Sequence, residues 1–334
     1  MSEDGAAAGG ASRGGIGGPP ANILVSLTRA REFMIVVVIV LAGGIMTFLS
    51  PHFLTRDNIL ALLLSVSFES IVAIGMTVLL ISGGFDLSVG SIAAVAGAVT
   101  AICLKEAEAP VAVAVLAGLA LGTLIGLANG LIIAKIGINP FITTLGMMSI
   151  VRGALLVTIG RNVPGLPESF TWIGQGHCVG IQHPIIIAAV LVAAGDLLLR
   201  KSRFFRQNYY LGGNEKAAIL SGIAVDRLKI FNYALAGLLA ALAGVVMTAR
   251  YGSASMQAGT GLELRVISAV IIGGASLQGG EGTILGSFLG SLLMAIILNS
   301  LTLLGVEANW SQLVIGTTLL LAVLVDTLGK RRLG

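Results

Sequence analysis

Residues 58–91, NILALLLSVSFESIVAIGMTVLLISGGFDLSVGS, carry the architecture of this chain in miniature. Asn58 to Ile81 is a 24-residue apolar run whose one ionisable group is Glu69. A helix of roughly 20 such residues crosses the hydrocarbon core of a bilayer. The run meets Gly83-Gly84, then Asp86 and Ser88, and apolar sequence resumes from Leu87. A glycine-rich break between two membrane-length runs reads as an interrupted helix, a form tolerated at membrane depth where the freed backbone lines a cavity or is buried in protein.

The surrounding chain repeats this pattern. Of 334 residues, 56% are apolar and 11% charged, far below the charged share of about 25% usual in soluble domains. Apolar runs occur at 33–49, 58–81, 87–104, 110–134, 139–160, 183–199, 230–250, 262–278, 283–304 and 309–328. They predict an all-α, polytopic membrane protein of about ten transmembrane helices, a transmembrane domain over 33–328. Residues 1–32, Gly/Ala-rich with Pro19-Pro20, read as a disordered cytoplasmic tail, and 329–334 as a short cytoplasmic tail. The run from Phe33 lies too far from the N-terminus for an ordinary secretion signal and reads as an uncleaved first span. Glycine numbers 46 while aromatics make up 5%, so helix contacts are expected to rest on small residues and close backbone approach.

Charge distribution tests the span count, since cytoplasmic loops collect Lys and Arg. With both termini in the cytoplasm, the inner side receives Arg13, Arg29, Arg31, Lys135, seven basic residues between Arg200 and Lys229, and Lys330 to Arg332. The outer side receives Arg56, Lys105, Arg161 and Arg250. An even number of spans with residues 200–229 inside fits this asymmetry. Nucleic-acid binding is not expected from the net charge of +4, because the charges trace one membrane face.

Residues 200–229, RKSRFFRQNYYLGGNEKAAILSGIAVDRLK, form the one substantial polar stretch and suit docking of a soluble partner. Within it, Gly212, Gly213, Asn214, Glu215, Ala217, Ala218, Ser221, Gly222 and Ile223 outline a short helix. Asn214 is a good N-cap, Glu215 suits the positive dipole end, and Gly222 can supply a left-handed closing residue. The adjacent alanines leave one face small enough for another protein to approach. Arg200, Lys201, Arg203 and Arg206 read as an orientation signal beside anionic lipid.

Gly83 to Gly90 is echoed by Gly273-Gly274-Ala275-Ser276-Leu277-Gln278-Gly279-Gly280, which shares three glycines and a leucine with it. Paired glycine-interrupted segments point to a weak internal two-fold repeat of the kind transporters are built from. At these residues the chain resembles a known family. Ile81 to Ser91 resembles the GG-[IF]-DLSVGS signature of ribose-, arabinose- and xylose-type ABC importer permeases, within the wider branched-chain amino acid and monosaccharide permease superfamily. Val270 to Gly282 and Gly212 to Ile223 are similar to that family too, and the resemblance runs from about Phe33 to Leu328.

The resemblance implies a permease subunit of the bacterial inner membrane that moves a monosaccharide, a pentose such as ribose or xylose or a similar small sugar or polyol. It implies a cytoplasmic ABC ATPase, often of two fused domains, a periplasmic sugar-binding protein, and a second permease subunit, identical or related. Asn214 through Ile223 would be the coupling helix that fits a cleft in the ATPase. This chain has no G-x-x-x-x-G-K-[ST] loop, so ATP hydrolysis is expected from the partner and no enzymatic activity or cofactor is expected here.

Candidate pathway or helix-break residues are Gly83, Gly84, Asp86, Ser88, Asn129, Asn139, Thr143, Arg152, Gly273, Gly274 and Asn299. Asp86 and Ser88 can cap the following helix or contact a passing sugar. Asn129, Asn139, Thr143, Thr144 and Asn299 can bond a sugar or a neighbouring helix. Arg152 must be paired, hydrated or snorkelling, and Glu69 is the carboxylate proposed for it; Glu263 and Arg265 are placed near the headgroups. His177, Cys178 and His183 lack a carboxylate and metal-site spacing, so no metal is expected. The competing class is an ion-coupled secondary carrier of a small polar solute, against which the long docking loop argues.

Overall fold

The computed structural model describes residues 21–307 and 309–331. Its helices follow the apolar runs: α1 Ala21–Leu49, α2 Arg56–Ile81, α3 Val89–Lys105, α4 Val111–Leu131, α5 Pro140–Thr158, α6 Glu168–Gln175, α7 His183–Lys201, α8 Arg203–Gly213, α9 Glu215–Leu220, α10 Val225–Tyr251, α11 Leu262–Ile272, α12 Ile284–Leu303 and α13 Trp310–Arg331. A π-helical turn, Ile132–Ile136, extends α4. Two small ribbons complete the described residues: β1 (Val163–Pro164) pairs antiparallel with β4 (Ser253–Ala254), and β2 (His177–Cys178) with β3 (Ile181–Gln182). Residues 1–20 of the expected N-terminal tail and 332–334 of the C-terminal one lie outside the described residues. Helix nevertheless enters both expected tails, at Ala21 and up to Arg331.

Eight helices among the described residues are long and apolar enough to cross a membrane. The other two expected spans are shorter: α3 has 17 residues and α11 has 11. At 1.5 Å per residue α11 covers only about 16 Å, half the hydrocarbon core. What shortens it is Gly274, in the left-handed region at φ +94. The Gly274 N–H donates to Ile271 O at 2.9 Å and the Ala275 N–H to Val270 O at 3.1 Å, the paired bonds that close a helix around a left-handed residue.

The end of α2 is built the same way. Gly83 has φ +82, its N–H reaches Leu80 O, and that of Gly84 reaches Leu79 O, both at 2.9 Å. The echo in the sequence is therefore repeated in backbone geometry, with one adjustment. The closing residues are Gly83 and Gly274, one position off the sequence alignment. Asp86 and Ser276 keep it, each side chain accepting the N–H two residues on, Ser88 at 2.7 Å and Gln278 at 3.1 Å.

α2 is buried at every residue from Val66 to Ile81, among α7, α10, α11 and α12. α4 lies along α10 through Gly118, Gly122, Gly126 and Gly130, a spacing of four that keeps them on one face. A methyl group on Gly126 would lie 2.3 Å from Tyr233 O, and one on Gly237 would lie 2.3 Å from Gly122 O. Side chains larger than hydrogen are thus excluded from the seam, which is how a glycine-rich membrane chain gains van der Waals contact without bulky residues.

The segment between α10 and α11 turns back into the protein. Arg265 Nε donates to Glu69 Oε1 at 2.9 Å, and Glu69 lies thirteen residues into α2, roughly 20 Å from its start. α11 consequently begins at mid-depth. The headgroup placement expected for Arg265 and Glu263 is corrected by this, as is the pairing of Arg152 with Glu69. Arg152 Nη1 instead donates to the carbonyls of Met256 (2.8 Å) and Ala258 (3.0 Å), fixing α5 to the returning segment.

Candidate functional site at the glycine junction

The polar stretch folds into two helices. Asn214 Oδ1 accepts the Ala217 N–H at 3.0 Å and caps α9. At the other end Gly222 (φ +81) donates to Ile219 O at 3.0 Å, and Ile223 to Ala218 O at 3.1 Å. Both caps are those expected from sequence. The expected helix is shorter, however, since Gly212 and Gly213 belong to α8.

The paired-alanine face needs correction. Consecutive helical residues point about 100° apart, so Ala217 and Ala218 cannot share a face. Ala218 is buried against Leu211, Val225 and Leu228. Ala217 faces outward with Lys216, Ser221, Ile219 and Leu220, the last 89% exposed. Glu215 is held by Lys229 at 2.6 Å.

Gly212 sets where α8 ends. A methyl group there would lie 1.9 Å from Ile81 O and 2.5 Å from Gly280 N. Gly280 N–H in turn donates to Ile81 O at 2.8 Å. One on Gly279 would lie 2.8 Å from the Gly212 Cα. The end of α2, the end of α8 and the loop after α11 therefore meet backbone to backbone.

Two polar contacts brace this junction. Tyr209 OH donates to Gly282 O at 2.8 Å, and burial pushes its phenol up to about 12, so it stays a donor. Asn232 Nδ2 donates to Asn208 Oδ1 at 2.7 Å between fully buried side chains of α10 and α8. Beside the junction opens a cavity of about 450 Å³, lined by Gly83, Gly84, Asn139, Gly212, Asn214 and Tyr233 among others.

The remaining candidates divide by surroundings. Asp86, Ser88 and Asn129 have no exposed surface. Asp86 Oδ1 accepts Ser88 Oγ–H at 2.5 Å, and Asn129 Nδ2 donates to Ser88 Oγ at 3.0 Å and Asp86 Oδ2 at 3.3 Å, pinning the helix break to α4. Asn299 exchanges bonds with Asn58 at 2.8 and 3.1 Å, joining α12 to α2. Asn139 caps α5 through the Phe141 N–H at 2.8 Å. Thr143 is buried and its Oγ1 has no partner among the described residues. Gly273 packs on Gly286, where a methyl group would lie 2.5 Å from the carbonyl oxygen. Thus the structure gathers Gly83, Gly84, Asn139 and the α8–α9 residues around one cavity, and leaves Arg152, Asn299, Thr143 and Gly273 elsewhere.

Residues 58–323 match the family described as the permease component of the branched-chain amino acid transport system. The chain belongs to this permease family. The ribose import permease protein of Escherichia coli K12 is 44% identical to it over 288 residues, 85% of this chain and 89% of the relative. That of Bacillus subtilis is 42% identical over 285 residues (84% and 88%), and the L-arabinose transport system permease protein of E. coli K12 is 39% identical over 316 (94% and 96%). No solved structure matches. Permeases of this kind are integral membrane transport subunits; ATP hydrolysis lies in a separate partner, and a substrate-binding protein completes the system.

Sequence reasoning missed Tyr209, Asn208 and Asn232 in this permease, although a single Asn within an apolar run such as 230–250 is a visible signal. The glycine seam of α4 is visible as a spacing of four.

Proposed function

We propose that this permease imports a monosaccharide, a pentose such as ribose or arabinose, across the bacterial inner membrane, and that α9 is the element its ATPase grips. The observation that supports the coupling role is the junction: the helix that presents Ile219 and Leu220 to solvent follows, after Asn214 alone, the α8 end seated against Ile81 and Gly280. With no free space between these backbones, displacement of α9 moves the end of α2 and the loop after α11 together. The two nucleotide states of the ATPase must hold α9 differently for such coupling to do work.

In this reading both termini are cytoplasmic, the ATPase carries two nucleotide-binding domains in one chain, and a second permease subunit, identical or related, completes the path. The sugar assignment rests on the named substrates of the relatives. The ion-coupled carrier is not favoured, since a relative matched over 85% of the chain is named a ribose import permease and one from Azospirillum brasilense, matched over 87%, an L-arabinose ABC transporter permease.

Proteoliposomes containing the permease, its ATPase and its binding protein test this. Labelled ribose or arabinose accumulates only when ATP, ATPase and binding protein are all present. Uptake driven by an ion gradient without the ATPase contradicts the reading.

A further inference from the structure

A second cavity, of about 310 Å³, lies beside the first half of α2, while the glycine junction lies at that helix's C-terminal end. Its walls come from Ala61, Ser65, Phe68 and Glu69 of α2, Arg250 and Tyr251 at the end of α10, and Leu262 and Arg265 at the start of α11. Ala61 and Ser65 are exposed while Phe68 and Glu69 are buried, so the cavity runs inward along α2. It ends at the Glu69–Arg265 pair, halfway along α2.

This end wall has the chemistry of a site. Glu69 is 4% exposed, and only its Oε1 is engaged by Arg265; its Oε2 has no partner among the described residues. A buried carboxylate oxygen without a donor is costly, and functional sites are where such groups are kept. Arg265 belongs to the half-helix α11, whose N-terminus opens at mid-depth, the arrangement by which discontinuous helices build solute sites near the midplane. Phe68 and Tyr251 supply apolar surface, and Arg250 a further donor. The volume falls in the range of about 300–1,000 Å³ usual for small-molecule pockets.

We propose that this cavity is the entry site of the permease, where a neutral monosaccharide ring is held with its hydroxyls on the Glu69–Arg265 pair and its apolar face on Phe68 and Tyr251. The carboxylate accepts from hydroxyls and the guanidinium donates to them, and their mutual pairing leaves Arg250 as the one unbalanced charge of the lining among the described residues. The proposal rests on the sugar-import reading above. It adds where the sugar waits: in a cavity at one end of the buried stretch of α2, with the junction cavity at the other.

Ser65 tests it without touching the ion pair. In the assembled importer without ATP, a Ser65→Cys variant reacts with a membrane-impermeant maleimide, and saturating ribose or arabinose delivered by the binding protein slows that reaction. Ser65→Phe, which fills the cavity, lowers uptake about tenfold or more, the scale of losing hydrogen bonds to a charged pair, while ATPase co-purification and thermal unfolding stay at wild-type values. Wild-type uptake by Ser65→Phe, or labelling that no neutral sugar slows, overturns the entry site while leaving the importer reading intact. Protection by a sugar acid alone overturns the neutral class. If the unsubstituted importer moves no monosaccharide, the reading beneath the proposal falls and the proposal with it.

Discussion

Gly212 and Ile81 are in backbone contact: a methyl group on Gly212 would lie 1.9 Å from the Ile81 carbonyl oxygen, the same oxygen that accepts the Gly280 N–H at 2.8 Å. The contact ties the helix of the polar loop to the buried end of α2. Glycine is required here for closeness alone, since Gly212 is helical.

Replacing Gly212 with Ala separates these backbones. Because the clash is with backbone on both sides, relief requires α8 to move, and overpacking of this kind costs about 1–3 kcal/mol. The expected outcome is an assembled permease whose ATP hydrolysis no longer tracks sugar uptake. Gly213→Ala, where no atom lies within 4 Å, retains both, and the comparison of uptake per ATP between the two variants is the check.

Asp86 holds the helix break closed through Ser88 and Asn129. Asp86→Ala leaves the Ser88 N–H and the Ser88 hydroxyl without their acceptor in a fully buried site, a loss of about 1–3 kcal/mol for each unsatisfied group, while Asn129 keeps its bond to Ser88 Oγ. Thermal unfolding in detergent shows a clear fall for Asp86→Ala and a smaller one for Asp86→Asn, which preserves shape and one acceptor. Equal stability of Asp86→Ala and the parent would remove the bracing role.

The α4 seam is steric. Gly126→Val places a branched side chain where even a methyl group would lie 2.3 Å from Tyr233 O, so little folded permease is expected by detergent size-exclusion chromatography. Gly44→Ala in α1, with nothing within 4 Å, is expected to express normally and gains about 1 kcal/mol of helix propensity.

Much of this architecture is legible in the residues themselves. Apolar length locates every long helix, and the Asn214 and Gly222 caps of α9 follow from residue type alone. The two glycine breaks are visible as an echo. Which residues meet across the bundle is not legible in the same way. Arg152 and Arg265 are both lone arginines in apolar sequence, and only the inward return of residues 252–261 sends Arg265 to Glu69 and Arg152 to two carbonyls. The buried face of α9 is hidden for a similar reason. Two adjacent alanines look like one small face, whereas the turn of a six-residue helix points Ala218 inward and Ala217 out.

Tyr209 gives the junction a pH signature. Its phenol is held up to about 12, above the unperturbed value of about 10. The bond to Gly282 O therefore contributes fully below about 10 and is lost as pH rises through about 12. Tyr209→Phe is expected to lower stability by about 1 kcal/mol at neutral pH. A difference titration of tyrosine absorbance between parent and variant should show the missing group ionising last among the solvent-accessible phenols; ionisation near 10 would contradict the burial.

In the proposed coupling α9 is the handle by which an ATPase moves this permease, and Leu220 is the most exposed large apolar side chain on it. At 89% exposure, Leu220 supports nothing inside the chain, so Leu220→Asp leaves thermal unfolding unchanged. Co-purification of the ATPase with Leu220→Asp is the measurement. Loss of the ATPase, with sugar uptake lost alongside it, is the expected result; a complex that forms and transports as the parent does would rule α9 out as the handle.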